Sequence, residues 1–92
     1  MASTPYKSTP VFDEASLPQA LRNAHNTKVG VWALVQVLEG VVRYHVEDGT
    51  AAPVDLMPGT PGLIWPGQRH HVEPLGPMRM RVDFYDHEPV IV

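Results

Sequence analysis

Five histidines and no cysteine focus the chemistry available to this 92-residue chain on imidazole and carboxylate groups. His70 follows Ile64-Trp65-Pro66-Gly67-Gln68-Arg69, where the Pro-Gly turn presents it at the start of a strand. His71 stands beside it, and because neighbours on a strand point to opposite faces, only one of the two can enter a cavity. His25 lies in the polar segment Arg22-Asn23-Ala24-His25-Asn26-Thr27-Lys28, immediately ahead of the most apolar stretch. Asp83 is a carboxylate between Val82 and Phe84 in the last strand-like run.

Joined, His25, His70 and Asp83 are two imidazoles and a carboxylate from three strands or strand ends, a set that leaves open positions on a divalent ion. The plainer reading of the same residues is structural: histidines satisfied by backbone or water, and Asp83 paired with Arg81 two residues away on the same face. Arg81 and Tyr85 share that face and form a candidate ligand pocket, with Arg81 lending positive charge to an anionic ligand. His45 and His87 read as surface residues. No G-x-G-x-x-G, Walker loop, H-E-x-x-H or G-x-S-x-G is present. Trp32 and Trp65 read as buried aromatics of a core or dimer interface, and Met57, Met78 and Met80 as core packing.

The elements that must position these groups are short strands. Seventeen Pro and Gly residues among 92, beside thirteen valines and only two lysines, argue against a helical bundle and for strands joined by tight turns. Ser8 to Phe12 reads as an edge strand, since Pro10 lacks a ladder donor. Ser16-Leu17-Pro18-Gln19 resembles a capping box opening a helix that ends near Asn23. From Val29 to Leu38, Val31, Ala33, Val35 and Val37 share one face and Trp32, Leu34, Gln36 and Leu38 the other, a strand covered on both sides. Glu39-Gly40 predicts a hairpin into Val41–Val46. Further turns at Asp48-Gly49, Pro58-Gly59, Pro66-Gly67 and Leu75-Gly76-Pro77 separate strands near 54–57, 62–65 and 70–73. In the closing strand Met78, Met80, Val82 and Phe84 alternate against Arg79, Arg81, Asp83 and Tyr85.

With 43% apolar residues the chain is not disordered, and its length suits one small domain whose marginal core an oligomer interface or a metal would help. Residues 1–5 read as a flexible arm and 6–92 as a single domain. A net charge of -3 with scattered arginines supplies no basic stripe for nucleic acid, and no apolar run approaches the roughly 18 residues that span a bilayer. The expectation is a cytoplasmic protein with neither nucleic acid nor membrane as partner.

Several blocks carry a resemblance. Leu56-Met57-Pro58-Gly59 followed by Leu63-Ile64-Trp65-Pro66-Gly67-Gln68-Arg69-His70-His71-Val72 is similar to the second cupin motif, and Leu38-Glu39-Gly40 to the end of the first. Together with Tyr6–Phe12, His25–Trp32 and His70–Gly76, they resemble the TehB/YeaR-like small cupin family, over nearly the whole chain. The resemblance implies an all-β fold, a small single-domain cupin (a double-stranded β-helix or jelly-roll barrel) with one short helical turn, forming a homodimer. It also implies links to tellurite resistance and nitrogen-oxide stress. His70 fits the second-motif histidine and Asp83 the V-D/E-F pattern of the closing strand. The first motif departs from the family: Thr27 follows His25 where a second histidine is usual, and Ala33 stands at the glutamate position.

The resulting expectation is a metal-binding cupin domain holding zinc, iron, nickel or manganese at His25, His70 and Asp83, and binding a small molecule or oxyanion. The alternatives are a metal-dependent enzyme of unknown substrate, with Tyr85, Glu39 or His45 the only bases loosely available, and a metal-free dimerisation or interaction module. With no glycine-rich loop, methyl transfer by this chain is not inferred.

Overall fold

The computed structural model describes residues 4–23, 28–47, 49 and 51–90, together with the backbone of 25–26. Their strands are β1 (Lys7–Ser8), β2 (Phe12–Asp13), β3 (His25–Asn26), β4 (Trp32–Glu39), β5 (Val42–Val46), β6 (Val54–Leu56), β7 (Gly62–Ile64), β8 (Arg69–Pro74) and β9 (Arg79–Tyr85), with one helix, α1 (Gln19–Arg22). The fold is thus mostly β-sheet with almost no helix. β1, β9, β4 and β7 lie side by side in one sheet, in which β2 also pairs with β9; the other sheet runs β3-β8-β5-β6. Every strand pairing is antiparallel. No strand pairing joins the two sheets among the described residues, so they are not closed into a hydrogen-bonded barrel.

The core lies between the sheets. Ala33, Val35, Val37, Ile64, Met80 and Val82 come from the five-stranded sheet and meet Val42, Tyr44, Leu56 and Val72 from the four-stranded one. The alternation of β4 and β9 read from the sequence is what delivers these side chains inward. Each full burial of such a side chain is worth about 1.5–3 kcal/mol. Met78 packs in the same core, whereas Met57 is exposed, so the expectation that all three methionines fill the interior fails at the turn residue.

Local signals fared differently at three points. Pro10 falls between β1 and β2, which pair successive parts of β9, so the predicted edge strand is broken at the residue without a donor. The helix has Pro18 at its N-cap and no side-chain cap, which overturns the capping-box reading. Ser16 is used one turn earlier: Asp13 Oδ1 accepts the amides of Ala15 and Ser16, and Ser16 Oγ accepts the Asp13 amide, an Asx-type turn. The predicted β4–β5 hairpin is also corrected. Gly40, at φ +75°, turns the chain out of the five-stranded sheet into the four-stranded one, so β4 pairs with β7 and β9 while β5 pairs with β6 and β8.

Candidate functional site

The structure separates two of the residues expected to share an ion. His70 is 1% exposed on the inward face of β8; its ring meets Tyr44 edge-on at 5.9 Å, and its Nδ1 lies 2.8 Å from the Gln68 carbonyl. Asp83 is 3% exposed but belongs to the other sheet, opposite Leu34 in the β4–β9 register. Met80 and Val82 face the core from β9, so Asp83 faces away from it. His25 is opposite His70 in the β3–β8 register, and its side chain lies outside the described residues. Among the described residues no group of three His, Asp or Glu side chains gathers closely enough to hold a metal ion.

Asp83 instead pins the edge of its sheet. Ser8 Oγ donates to its Oδ1 at 2.7 Å and Arg81 Nε to the same oxygen at 3.0 Å. A carboxylate this buried requires such partners, and Arg81 is the same-face partner named from the sequence. Around it the outer face of the five-stranded sheet is aromatic. Tyr85, opposite Trp32, is buried, and desolvation first, then the Asp83 charge, pushes its hydroxyl above the ordinary value. Trp32 meets Trp65 at 5.0 Å between ring centroids; Trp65 is 52% exposed, so within the chain this pair is a surface feature rather than part of the core.

The solvent side of the four-stranded sheet holds a second constellation, which sequence reasoning passed over. His45 and His71 are opposite each other in the β5–β8 register, and their rings stack at 4.2 Å with 7° between planes. His45 Nε2 lies 3.0 Å from Glu73 Oε1, and His71 Nδ1 contacts Glu47 Oε1. Beside them runs a cleft of about 370 Å³ lined by Arg22, His45, His71, Val72, Glu73 and Pro74. Strand parity was the available signal: Val42, Tyr44 and His70, Val72 face inward, so His45 and His71 must both face out. His87 is on the surface, as expected, beside Asp86.

A family model described as TehB-like domain matches residues 7–82. Two probable S-adenosyl-L-methionine-dependent methyltransferases called TehB, from Haemophilus influenzae strains 10810 and Rd, are 42% identical over 40 residues, covering 44% of this chain and 14% of each relative. The crystal structure of TehB from Haemophilus influenzae superposes with a TM-score of 0.78 at 32% identity, covering 87% of this chain and 30% of that one. A protein from Escherichia coli K12, 19% identical, shares the fold with a TM-score of 0.76 over 100% of this chain and 91% of its own.

These relatives, with the separation of His70 from Asp83, replace the metal-binding cupin reading. Relatives named for S-adenosyl-L-methionine stand where zinc, iron, nickel or manganese was expected, and no metal-holding group gathers among the described residues. No helix among those residues is long and apolar enough to cross a membrane.

Proposed function

The chain belongs to the TehB-like domain family, and on that premise we propose that it is a β domain serving S-adenosyl-L-methionine-dependent methyl transfer by holding a small molecule of that reaction other than the methyl donor. The observation that carries this reading is the overlay of 87% of the chain on only 30% of Haemophilus influenzae TehB. The chain therefore corresponds to one portion of a longer protein, and the rest of that protein has room for the transfer chemistry.

The described residues do not fit S-adenosyl-L-methionine. Adenosine-bearing cofactors in α/β domains sit at the carboxyl ends of parallel strands, beside a helix N-terminus approached by a glycine-rich turn. Here every strand pairing is antiparallel and the one described helix has four residues. No methyl-transfer step is assigned to this chain. The small molecule is better served by the outer face of the five-stranded sheet. There Trp32 and Trp65 present ring surface, Arg81 is half exposed, and Tyr85 closes one side. Arg81 and Tyr85 are the residues we assign to that contact.

We take residues 6–92 as one domain, with 1–5 as an arm, in a small-cupin, jelly-roll type of arrangement. Exposed Val54, Met57 and Trp65 support a homodimer, and the acidic charge supports a protein without nucleic-acid partners.

The test is a chimera in which this chain replaces the matching segment of Haemophilus influenzae TehB, followed through S-adenosylhomocysteine release, beside calorimetry of the purified chain with S-adenosyl-L-methionine. The expected result is a chimera with kcat retained, its acceptor KM raised by Arg81→Ala, and no heat of donor binding to the chain alone. Saturable donor binding by the isolated chain, or an acceptor KM indifferent to Arg81→Ala, would overturn the reading.

A further inference from the structure

The stacked histidines of the four-stranded sheet form a site that the methyl-transfer reading does not use. A carboxylate oxygen accepts, so in the neutral ring the nitrogen facing it donates: Nε2 of His45 toward Glu73 and Nδ1 of His71 toward Glu47. That arrangement leaves the second nitrogen of each ring, Nδ1 of His45 and Nε2 of His71, as a lone-pair acceptor. Each glutamate also keeps a second oxygen.

The cation lining the cleft is already engaged. Arg22 donates from Nε to the Leu17 carbonyl at 3.2 Å and from Nη2 to the Glu14 carbonyl. Arg43, on the same strand as His45, is held by Asp55 of β6, with Nε 2.8 Å from Oδ1. The groups left to a ligand are therefore acceptors and carboxylate charge, laid beside two parallel flat rings. A ligand matching all three must be cationic, rich in N–H donors and planar.

We propose that this cleft binds the guanidinium group of a small molecule. The planar cation meets the edge of the stacked imidazoles, where the lone pairs lie in the ring planes, and directs its fork of N–H donors at Glu73 and the free ring nitrogens. A cleft of about 370 Å³ has the size of sites for small ligands, on the order of 300–1,000 Å³. A compact ammonium has the charge but neither the plane nor the fork, so the geometry discriminates between the two.

The test follows the ring carbon-bound protons of His45 and His71 by NMR in the full chain, with signals assigned from His45→Gln and His71→Gln. Methylguanidinium chloride is titrated, with methylammonium chloride, sodium chloride and sodium acetate as matched arms. The expected result is saturable movement of both signals with methylguanidinium while His87 stays still, and an affinity about fivefold weaker in Glu73→Gln. Glu47→Gln supplies a second variant should Glu73→Gln lose dispersion of its spectrum. Equal response to methylammonium or sodium, saturable binding of acetate, or unchanged affinity in a folded glutamate variant overturns the proposal. None of these arms depends on methyl transfer, so its failure and that of the methyl-transfer reading are separable.

Discussion

Replacing Gly40 by alanine tests the account of how the chain passes from one sheet to the other. Gly40 sits at φ +75°, where a side chain costs about 1–2 kcal/mol. A Cβ there would also stand 2.3 Å from the Pro77 carbonyl oxygen and 3.1 Å from Met78 Cα and Cβ. Backbone cannot yield as a side-chain tip does, and Met78 is buried in the core, so the intrusion adds about 1–3 kcal/mol of overpacking. Alanine stiffens the unfolded chain and returns about 0.4–1 kcal/mol. The net expectation for Gly40→Ala is a loss of about 1–4.5 kcal/mol. Gly59→Ala isolates the backbone contribution, because Gly59 has φ +86° and nothing within 4 Å of the added carbon; its loss should be about 0–1.5 kcal/mol. Urea unfolding followed by tryptophan fluorescence measures both. At about 4–8 °C per kcal/mol, the middle of that range places the melting point of Gly40→Ala about 10–20 °C below the parent. Equal losses in the two variants would show that the close approach of Gly40 to Pro77 carries no energy, and the reasoning would fall with it.

Other outcomes follow from the same structure. Asp83→Ala takes the shared carboxylate from Ser8 and the half-exposed Arg81, and should cost about 2–4 kcal/mol by urea unfolding, with Ser8→Ala non-additive to it in a double-mutant cycle. Met80→Ala, at a fully buried position, should cost about 2–5 kcal/mol. The amide of Ser16 first, then that of Ala15, holds the Asp13 carboxyl below its ordinary 3.8. A depressed folded value means stability that is present above the ordinary pKa and lost as pH falls through the folded one; Asp13→Ala should therefore flatten the stability–pH curve below about pH 4. Burial, followed by the Asp83 charge, raises the Tyr85 hydroxyl above 10.0. Its contribution is complete below the unfolded value and lost as pH rises through the folded one, and the 295-nm titration of parent minus Tyr85→Phe should have its midpoint above 10.

What was legible in the sequence is what period two encodes. Ala33, Val35 and Val37 on β4, and Met80 and Val82 on β9, could be assigned to the core because alternation depends only on neighbours along the chain. The same parity placed Asp83 with Arg81 and Tyr85, away from Met80 and Val82, and placed His70 with inward Val72. A metal shared by His70 and Asp83 was thus already in conflict with the alternation that defined their strands. The β4–β5 hairpin was misread for a different reason. Gly40 signals a reversal, but which sheet receives the next strand is decided by long-range packing, here by Pro77 and Met78 closing over the turn. His45 and His71 are 26 residues apart, and only the β5–β8 register brings their rings together. The Asx turn at Asp13 was missed because the nearby Ser-Leu-Pro-Gln mimics a capping box, while the hydroxyl was already taken by the Asp13 amide.

β9 has three partners: β1, β2 and β4 all lie against Arg79–Tyr85. A ribosome makes those partners first and their common template last. Until residue 85 has left the exit tunnel, β1 and β2 have no ladder to join, and the apolar face of β4 has lost one of its two neighbours. Pairing across more than 70 residues is slow, and exposed strand edges in the meantime invite association with other chains. Yield of soluble protein should accordingly respond to temperature and translation speed, since the strand on which β1, β2 and β4 are assembled is synthesised after all three.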